Sequence, residues 1–240
     1  MRLDKFLQKK FDLRSRTYAE NLILKGQVLL NGKVMRKPSF DVDVDAENDV
    51  RIENDLNFAS QGAYKLLEAL TVFGISVNGS TCVDIGCSNG GFTDCLLRSG
   101  AKSVLAVDVA ECALPESIAS DPRVTFLRAN ARNLALNEKY DFVCGDVSFI
   151  SLTLILPSAF GLTKEGGECV FLIKPQFELD KSSLGKRGVV LSERDRAKAV
   201  EKVRSFAVQT GFAVKGVTPA PVYYEEKNVE YLIYLEKPLR

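Results

Sequence analysis

One glycine-rich turn and four charged residues hold most of the chemistry this sequence offers. The turn reads Val83-Asp84-Ile85-Gly86-Cys87-Ser88-Asn89-Gly90-Gly91-Phe92-Thr93, a D-x-G-x-x-x-G-G pattern between an apolar strand and a helix. Glycines let the backbone bend tightly and approach a ligand with no Cβ in the way. The spacing is not the G-x-G-x-x-G of a pyrophosphate cradle, and Asp84 at the strand end suits a cationic ligand. Asp108 closes the next strand about 20 residues later, where a carboxylate accepts from both hydroxyls of a ribose. A positively charged nucleoside satisfies both acids. S-adenosylmethionine, with its ammonium and sulfonium, is therefore the expected cofactor. Asp84, Gly86, Ser88, Gly90, Gly91, Phe92 and Asp108 are expected to bind it, with Asn130 bordering the adenine and Asp146 at the edge. Read alone, the loop is also compatible with a tight turn holding no ligand, or with a nicotinamide or flavin site.

The four charged residues are Lys65, Asp146, Lys174 and Glu230. Asp146 follows an apolar strand and projects from the carboxyl edge of a sheet, where α/β proteins bind ligands. Lys174 ends the next strand, which Pro175 stops, so the two side chains can share a crevice. Lys65 lies on the helix before the first strand of the sheet, and Glu230 opens the last strand. Taken singly, each is equally an ordinary surface charge. The chain has no histidine. That excludes a His-based triad and Cys/His zinc sites, and leaves proton chemistry to Lys, Asp, Glu, Tyr or Cys. The six cysteines, Cys82, Cys87, Cys95, Cys112, Cys144 and Cys169, form no C-x-x-C pair. They are expected as reduced, buried small hydrophobes, and no metal is expected.

The elements that must position these residues alternate strand and helix beyond residue 60. Strands are expected over 81–85, 103–107, 123–127, 140–145, 168–173, 212–217 and 229–235. Helices are expected over 65–73, 93–99 and 152–160, with a long one to Thr210 capped by Ser192 and ended by Gly211. This order predicts an α/β, Rossmann-like domain: a mostly parallel seven-stranded sheet whose last strand is antiparallel. A loop over 178–191, holding Lys181, Lys186 and Arg187 with Gly185 and Gly188, reads either as a segment closing over a nucleic acid or as plain solvated chain.

The first 55 residues read as a separate small α+β domain, joined through a linker at 56–60 to a domain spanning 61–240. Leu3, Phe6 and Leu7 mark one helix. Ser15 caps a second, with Ala19, Leu22 and Ile23 inward and Gly26 at its end. Asn31-Gly32 is a hairpin turn, and Val42, Val44, Val50 and Ile52 alternate with acids as short strands. Residues 1–40 hold ten Lys/Arg against three Asp/Glu, whereas 41–55 hold one against seven. A basic helical module of this kind faces an anion or balances itself in solvent. No apolar run reaches the roughly 20 residues of a membrane span, and the charged N-terminus lacks a secretory core. A cytoplasmic protein is expected.

Residues 2–34 resemble the small RNA-binding domain named after ribosomal protein S-four, through Ser15-Arg16, Gly26 and Val28-x-x-Asn31-Gly32. The resemblance implies RNA phosphate contacts for Arg2, Lys5, Arg14, Arg16 and Lys25, with Lys186 and Arg187 added from the later loop. Together Lys65, Asp146, Lys174 and Glu230 resemble the Lys-Asp-Lys-Glu set of FtsJ-type ribose 2′-O-methyltransferases. Nearly the whole chain is similar to the haemolysin A, or TlyA, family. Its markers here are Gly62-x-x-Lys65-Leu66, Asp84-Ile85-Gly86, Gly90-Gly91-Phe92-Thr93-Asp94, Asn130-Ala131-Arg132, Asp146-Val147-Ser148-Phe149-Ile150-Ser151, Lys174-Pro175-Gln176-Phe177-Glu178 and Asn228-Val229-Glu230. The resemblance implies methylation of ribosomal RNA within ribosomal subunits, at a cytidine 2′-hydroxyl. It makes Lys174 the base or hydroxyl-orienting group, Lys65 its tuner, and Asp146 and Glu230 the holders of the lysines. Gln61, where members carry Arg, and Ala63, in place of a second Gly, depart from the pattern, as does the lack of Gly in 222–227. The competing functions are a non-catalytic ribosome-assembly protein and a membrane-active haemolysin.

Overall fold

The structure is a computed structural model. It describes residues 1–240 apart from 14, 25, 53–57, 113, 186, 222–227 and 240. The chain divides into two compact units, one built on Met1–Asn57 and the other on Phe58–Val222 and Glu226–Arg240.

In the first unit, α1 (Leu3–Lys10) and α2 (Arg16–Leu24) pack beside a three-stranded antiparallel sheet. That sheet is β1 (Val28–Leu30), β2 (Lys33–Met35) and β3 (Val50–Ile52), in the order β2-β1-β3. Leu3, Leu7, Ala19, Leu22, Ile23 and Val28 are buried and form its core. Ser15 accepts from the Tyr18 N–H at 3.1 Å, the expected cap. Asn31 (φ 52°) and Gly32 (φ 75°) make the two-residue turn that pairs Leu30 with Lys33. The expected strand through Val42 and Val44 does not form. Asp41 makes an isolated bridge to Arg2, and Val44 is left exposed.

The second unit carries a seven-stranded sheet. Its strands are β4 (Thr81–Ile85), β5 (Ser103–Asp108), β6 (Val124–Arg128), β7 (Tyr140–Gly145), β8 (Thr163–Ile173), β9 (Ala213–Pro219) and β10 (Tyr231–Glu236). The order is β6-β5-β4-β7-β8-β10-β9, and β10 runs antiparallel to both its neighbours. The helices are α3 (Gly62–Phe73), α4 (Gly91–Arg98), α5 (Glu116–Ala119), α6 (Leu156–Leu162), α7 (Pro175–Glu178) and α8 (Glu193–Thr210). Ser192 caps α8 by accepting from the Asp195 N–H, and Gly211, at φ 110°, ends it. Val83, Ile85, Val143, Phe171 and Ile233 from the sheet pack against Leu156, Ala159, Val203 and Ala207 from α6 and α8. Parallel strands buried on both faces explain the near-continuous apolar runs. They also place the ends of β4, β5, β7 and β8 on one edge. Asp84, Asp108, Asp146 and Lys174 all sit at that edge.

Candidate active site

The turn after β4 is forced by its glycines. Gly86 has φ 79°, and a Cβ there would lie 3.3 Å from the Asp146 carbonyl oxygen. Gly90 has φ 76° and precedes α4, where a Cβ would strike Ile118. At Gly91 a Cβ would fall 2.0 Å from the Ser60 Oγ. The loop is tied to the next strand, because Gly86 and Cys87 donate backbone N–H groups to the Val107 carbonyl.

Under this loop Asp84 is fully buried. Thr93 donates its hydroxyl to Oδ2 at 2.7 Å, while Oδ1 has no hydrogen-bond partner among the described residues. Burial pushes this carboxyl up to about 7. An unsatisfied buried carboxylate oxygen costs about 1–3 kcal/mol, and a cation against it recovers that cost. Asp108, at the lip, accepts from the Ser88 and Ala110 N–H groups at 3.0 Å. Asn130 accepts from the Arg132 N–H and caps a short turn over Ala131–Asn133.

The loop opens onto a cavity of about 600 Å³. Gly86, Ser88, Gly91, Phe92, Asp108, Asn130 and Asp146 line it, together with Lys174. Asp84 and Gly90 lie behind the lining. A carboxylate with one oxygen unpaired among the described residues, a loop that excludes Cβ atoms and a strand-end acid together fit S-adenosylmethionine in size and charge.

At the far end of the cavity the four expected charges meet. Lys174 Nζ lies 2.5 Å from Asp146 Oδ1 and donates to the Ser148 Oγ at 2.7 Å. Lys65 Nζ lies 2.5 Å from Glu230 Oε2 and 3.7 Å from Asp146 Oδ2. Asp146 is thus the bridge between the two lysines. Burial works to lower the Lys65 pKa, but the charges of Asp146 and Glu230 and their hydrogen bonds reverse it and raise it. Lys65 is therefore held as an ammonium.

Three contributors were not among the expected site residues. Ser148 accepts from Lys174. Phe149 is 90% exposed, holds φ 63° and stands 5.3 Å, centroid to centroid, from Phe177 at the cavity mouth. A β-strand alternation gives no hint of that positive φ. Glu178 is buried and accepts from the Ser151 hydroxyl and the Leu152 N–H, fixing the turn that follows Asp146. Two residues of the 178–191 stretch are tied to Asn228. Asn228 accepts from the Val190 N–H and donates to the Gly188 carbonyl.

The basic residues of the first unit are partly committed. Arg2 and Arg16 both pair with Asp4, at 2.6 and 3.0 Å, and Arg16 also reaches Glu20 at 3.2 Å. Burial alone would raise the Asp4 carboxyl. Hydrogen bonds from Arg2, Arg16 and the Lys5 N–H instead hold it well below the usual carboxylate range. Both guanidiniums remain about two-fifths exposed. Lys5 and Arg187 are exposed. Arg14, Lys25 and Lys186 lie outside the described residues.

Residues 58–237 match the FtsJ-like methyltransferases and residues 1–48 match the S4 domain. The chain belongs to the FtsJ-like methyltransferase family. Within that family it is 39% identical over 238 residues to the 16S/23S rRNA (cytidine-2′-O)-methyltransferase TlyA of Mycobacterium tuberculosis, covering 98% of this chain and 89% of that protein. It is 35% identical to Hemolysin A of Brachyspira hyodysenteriae, covering 98% and 99% of the two chains. A solved structure from Streptococcus thermophilus, described as a candidate hemolysin, superposes with a TM-score of 0.74 at 36% identity, covering 99% of this chain and 88% of that one. Among the described residues, no helix is long and apolar enough to cross a membrane.

Proposed function

We propose that this methyltransferase modifies the ribose 2′-hydroxyl of a cytidine in ribosomal RNA, presented in a ribosomal subunit. The observation that carries the reading is the linked Lys174–Asp146–Lys65–Glu230 chain at the end of a cavity suited to S-adenosylmethionine. The relatives' names supply the substrate class. The S4 match and the basic first 40 residues support an RNA partner.

When bound, S-adenosylmethionine supplies a methyl group activated on a sulfonium. Asp84 holds the donor's ammonium and Asp108 its ribose hydroxyls. Asn130 borders the adenine, while Gly86, Ser88, Gly90, Gly91 and Phe92 shape the loop around it. Lys174 acts on the substrate hydroxyl, as its base or as the group that orients it while the oxygen is methylated. Lys65 shares the Asp146 carboxylate with Lys174, so the acid holds both lysine side chains at the reacting end of the cavity. Glu230 anchors Lys65 so that its ammonium stays in place. Most of the acceleration comes from alignment, which is worth several kcal/mol when reacting atoms are held in line.

Phe149 offers an exposed aromatic face at the mouth, and flipped bases stack on such faces. Arg2, Lys5, Arg14, Arg16, Lys25, Lys186 and Arg187 contribute phosphate contacts, which orient RNA without reading its sequence. The test is to incubate the protein with labelled donor and ribosomal subunits that lack the modification, then map the label. Label on a cytidine ribose is expected. Label on a base atom, or none with folded protein, overturns the reading.

A further inference from the structure

Two cysteines occupy a position that the methyl-transfer chemistry does not use. Cys87 stands in the glycine loop between Gly86 and Ser88, and Cys112 follows β5. Their Sγ atoms are 3.8 Å apart. The Asp108 carboxylate completes the group, since one ligand atom from each of Cys87, Asp108 and Cys112 lies within 4.8 Å of the other two. Backbone N–H groups of Ser88 and Ala110 already orient that carboxylate. Outer hydrogen bonds of this kind are what fix metal ligands.

The sulfur separation discriminates between two thiol chemistries. A disulfide requires about 2.05 Å, so the loops would have to close. A tetrahedral ion with metal–sulfur bonds of about 2.3 Å sets two thiolates about 3.8 Å apart, which is the spacing found. A carboxylate oxygen at about 2.0–2.2 Å from the same ion stands about 3.5 Å from each sulfur, within reach of a side-chain adjustment at Asp108.

We propose that Cys87, Cys112 and Asp108 form a three-ligand site for a divalent zinc-type cation, with a fourth position open to water. Each thiol gives its proton to solvent as the metal–sulfur bond forms. Cys87 is buried, and Cys112 is more exposed and provides the approach. Occupancy takes Asp108 away from the methyl donor, so cation and donor compete. The competition rests on the reading of Asp108 as a ribose acceptor, whereas the cation site does not.

The experiment titrates cadmium into the full-length protein in a reductant that does not bind metal. The readout is the ultraviolet sulfur-to-cadmium charge-transfer band. One equivalent with the intensity of two thiolates is expected. Cys112→Ser should lose the two-thiolate band, and Asp108→Asn should weaken affinity at least tenfold, with circular dichroism checking that each variant is folded. Cys87→Ser provides the same loss independently. S-adenosylhomocysteine should raise the apparent cadmium dissociation constant at least tenfold. No band in folded wild-type protein, or a band unchanged by both cysteine substitutions, overturns the site. Loss of two free thiols to mild oxidant with no cadmium band replaces it with a disulfide. A cadmium band insensitive to S-adenosylhomocysteine leaves the site standing and overturns the competition.

Discussion

Lys65 and Glu230 are 165 positions apart in the chain and meet at 2.5 Å. One comes from the helix that precedes the sheet and the other from the approach to the antiparallel strand β10, sixth of the seven in the sheet. Burial alone would lower the Lys65 pKa, but the charges of Asp146 and Glu230 raise it. A raised value contributes stability that is fully present below the ordinary lysine pKa and is lost as pH rises through the folded one. Glu230→Gln should therefore cost about 1–3 kcal/mol near neutral pH. That penalty should shrink in alkaline solution beyond the ordinary lysine value of 10.5. Denaturant melts of both proteins across pH check this, and a penalty that grows with alkalinity contradicts the pairing. The same variant should slow methyl transfer.

Lys174→Ala should reduce methyl transfer by about 10²–10⁴-fold, the range for a positioned proton-transfer group. Donor binding, measured by calorimetry, should change little. Full activity in this variant would remove Lys174 from the chemistry.

Asp84 titrates at about 7 because it is buried. Its protonated form is the stable one in the folded protein, so stability is fully present below the ordinary value of 3.8 and is lost as pH rises from there to about 7. Asp84→Asn should raise the melting temperature relative to wild type at pH 8 and make little difference below about pH 4. Donor affinity of the wild-type protein should rise as pH passes through about 7, where the carboxylate forms. A flat affinity profile would detach Asp84 from the donor's ammonium.

Gly91→Ala should destabilise by about 1–3 kcal/mol, an ordinary overpacking cost, because the new methyl meets the Ser60 Oγ at 2.0 Å. Removing that hydroxyl in Gly91→Ala/Ser60→Ala should recover part of the loss. Thermal melts of both variants make the comparison, and no recovery would mean that the Ala63 N–H, 3.1 Å from the same Cβ, sets the limit.

Phe149→Ala should leave stability within about 0.5 kcal/mol, as exposed substitutions do, yet lower methylation of RNA. Stacking of one base on an aromatic ring is worth about 1–3 kcal/mol, or roughly 5- to 150-fold. Steady-state kinetics with ribosomal substrate measure it. Equal losses of stability and activity would make the ring a structural contact.

Features that depend on neighbours in sequence were legible. Ser192 and Gly211 bracket α8 because caps are local, and Asn31-Gly32 makes its turn for the same reason. The mostly parallel sheet followed from the alternation of strand and helix along the chain, whereas the order of its strands did not. Lys65, Asp146, Lys174 and Glu230 could be read through family resemblance and the carboxyl-edge rule. Contacts made through space were not legible. Nothing in the spacing of Cys87 and Cys112 brings their sulfurs together, and nothing in Arg2, Asp4 and Arg16 announces a buried acid holding two guanidiniums. The Val42 and Val44 alternation misled because a period of two needs a partner strand, and among the described residues this stretch makes one isolated bridge, Asp41 to Arg2.

Strand β10 slots between β8 and β9 and delivers Glu230 to Lys65. Without that strand the sheet stops at β8, β9 has no strand to pair with, and Lys65 has no Glu230, so the site is complete only once the last strand has threaded between its two antiparallel neighbours.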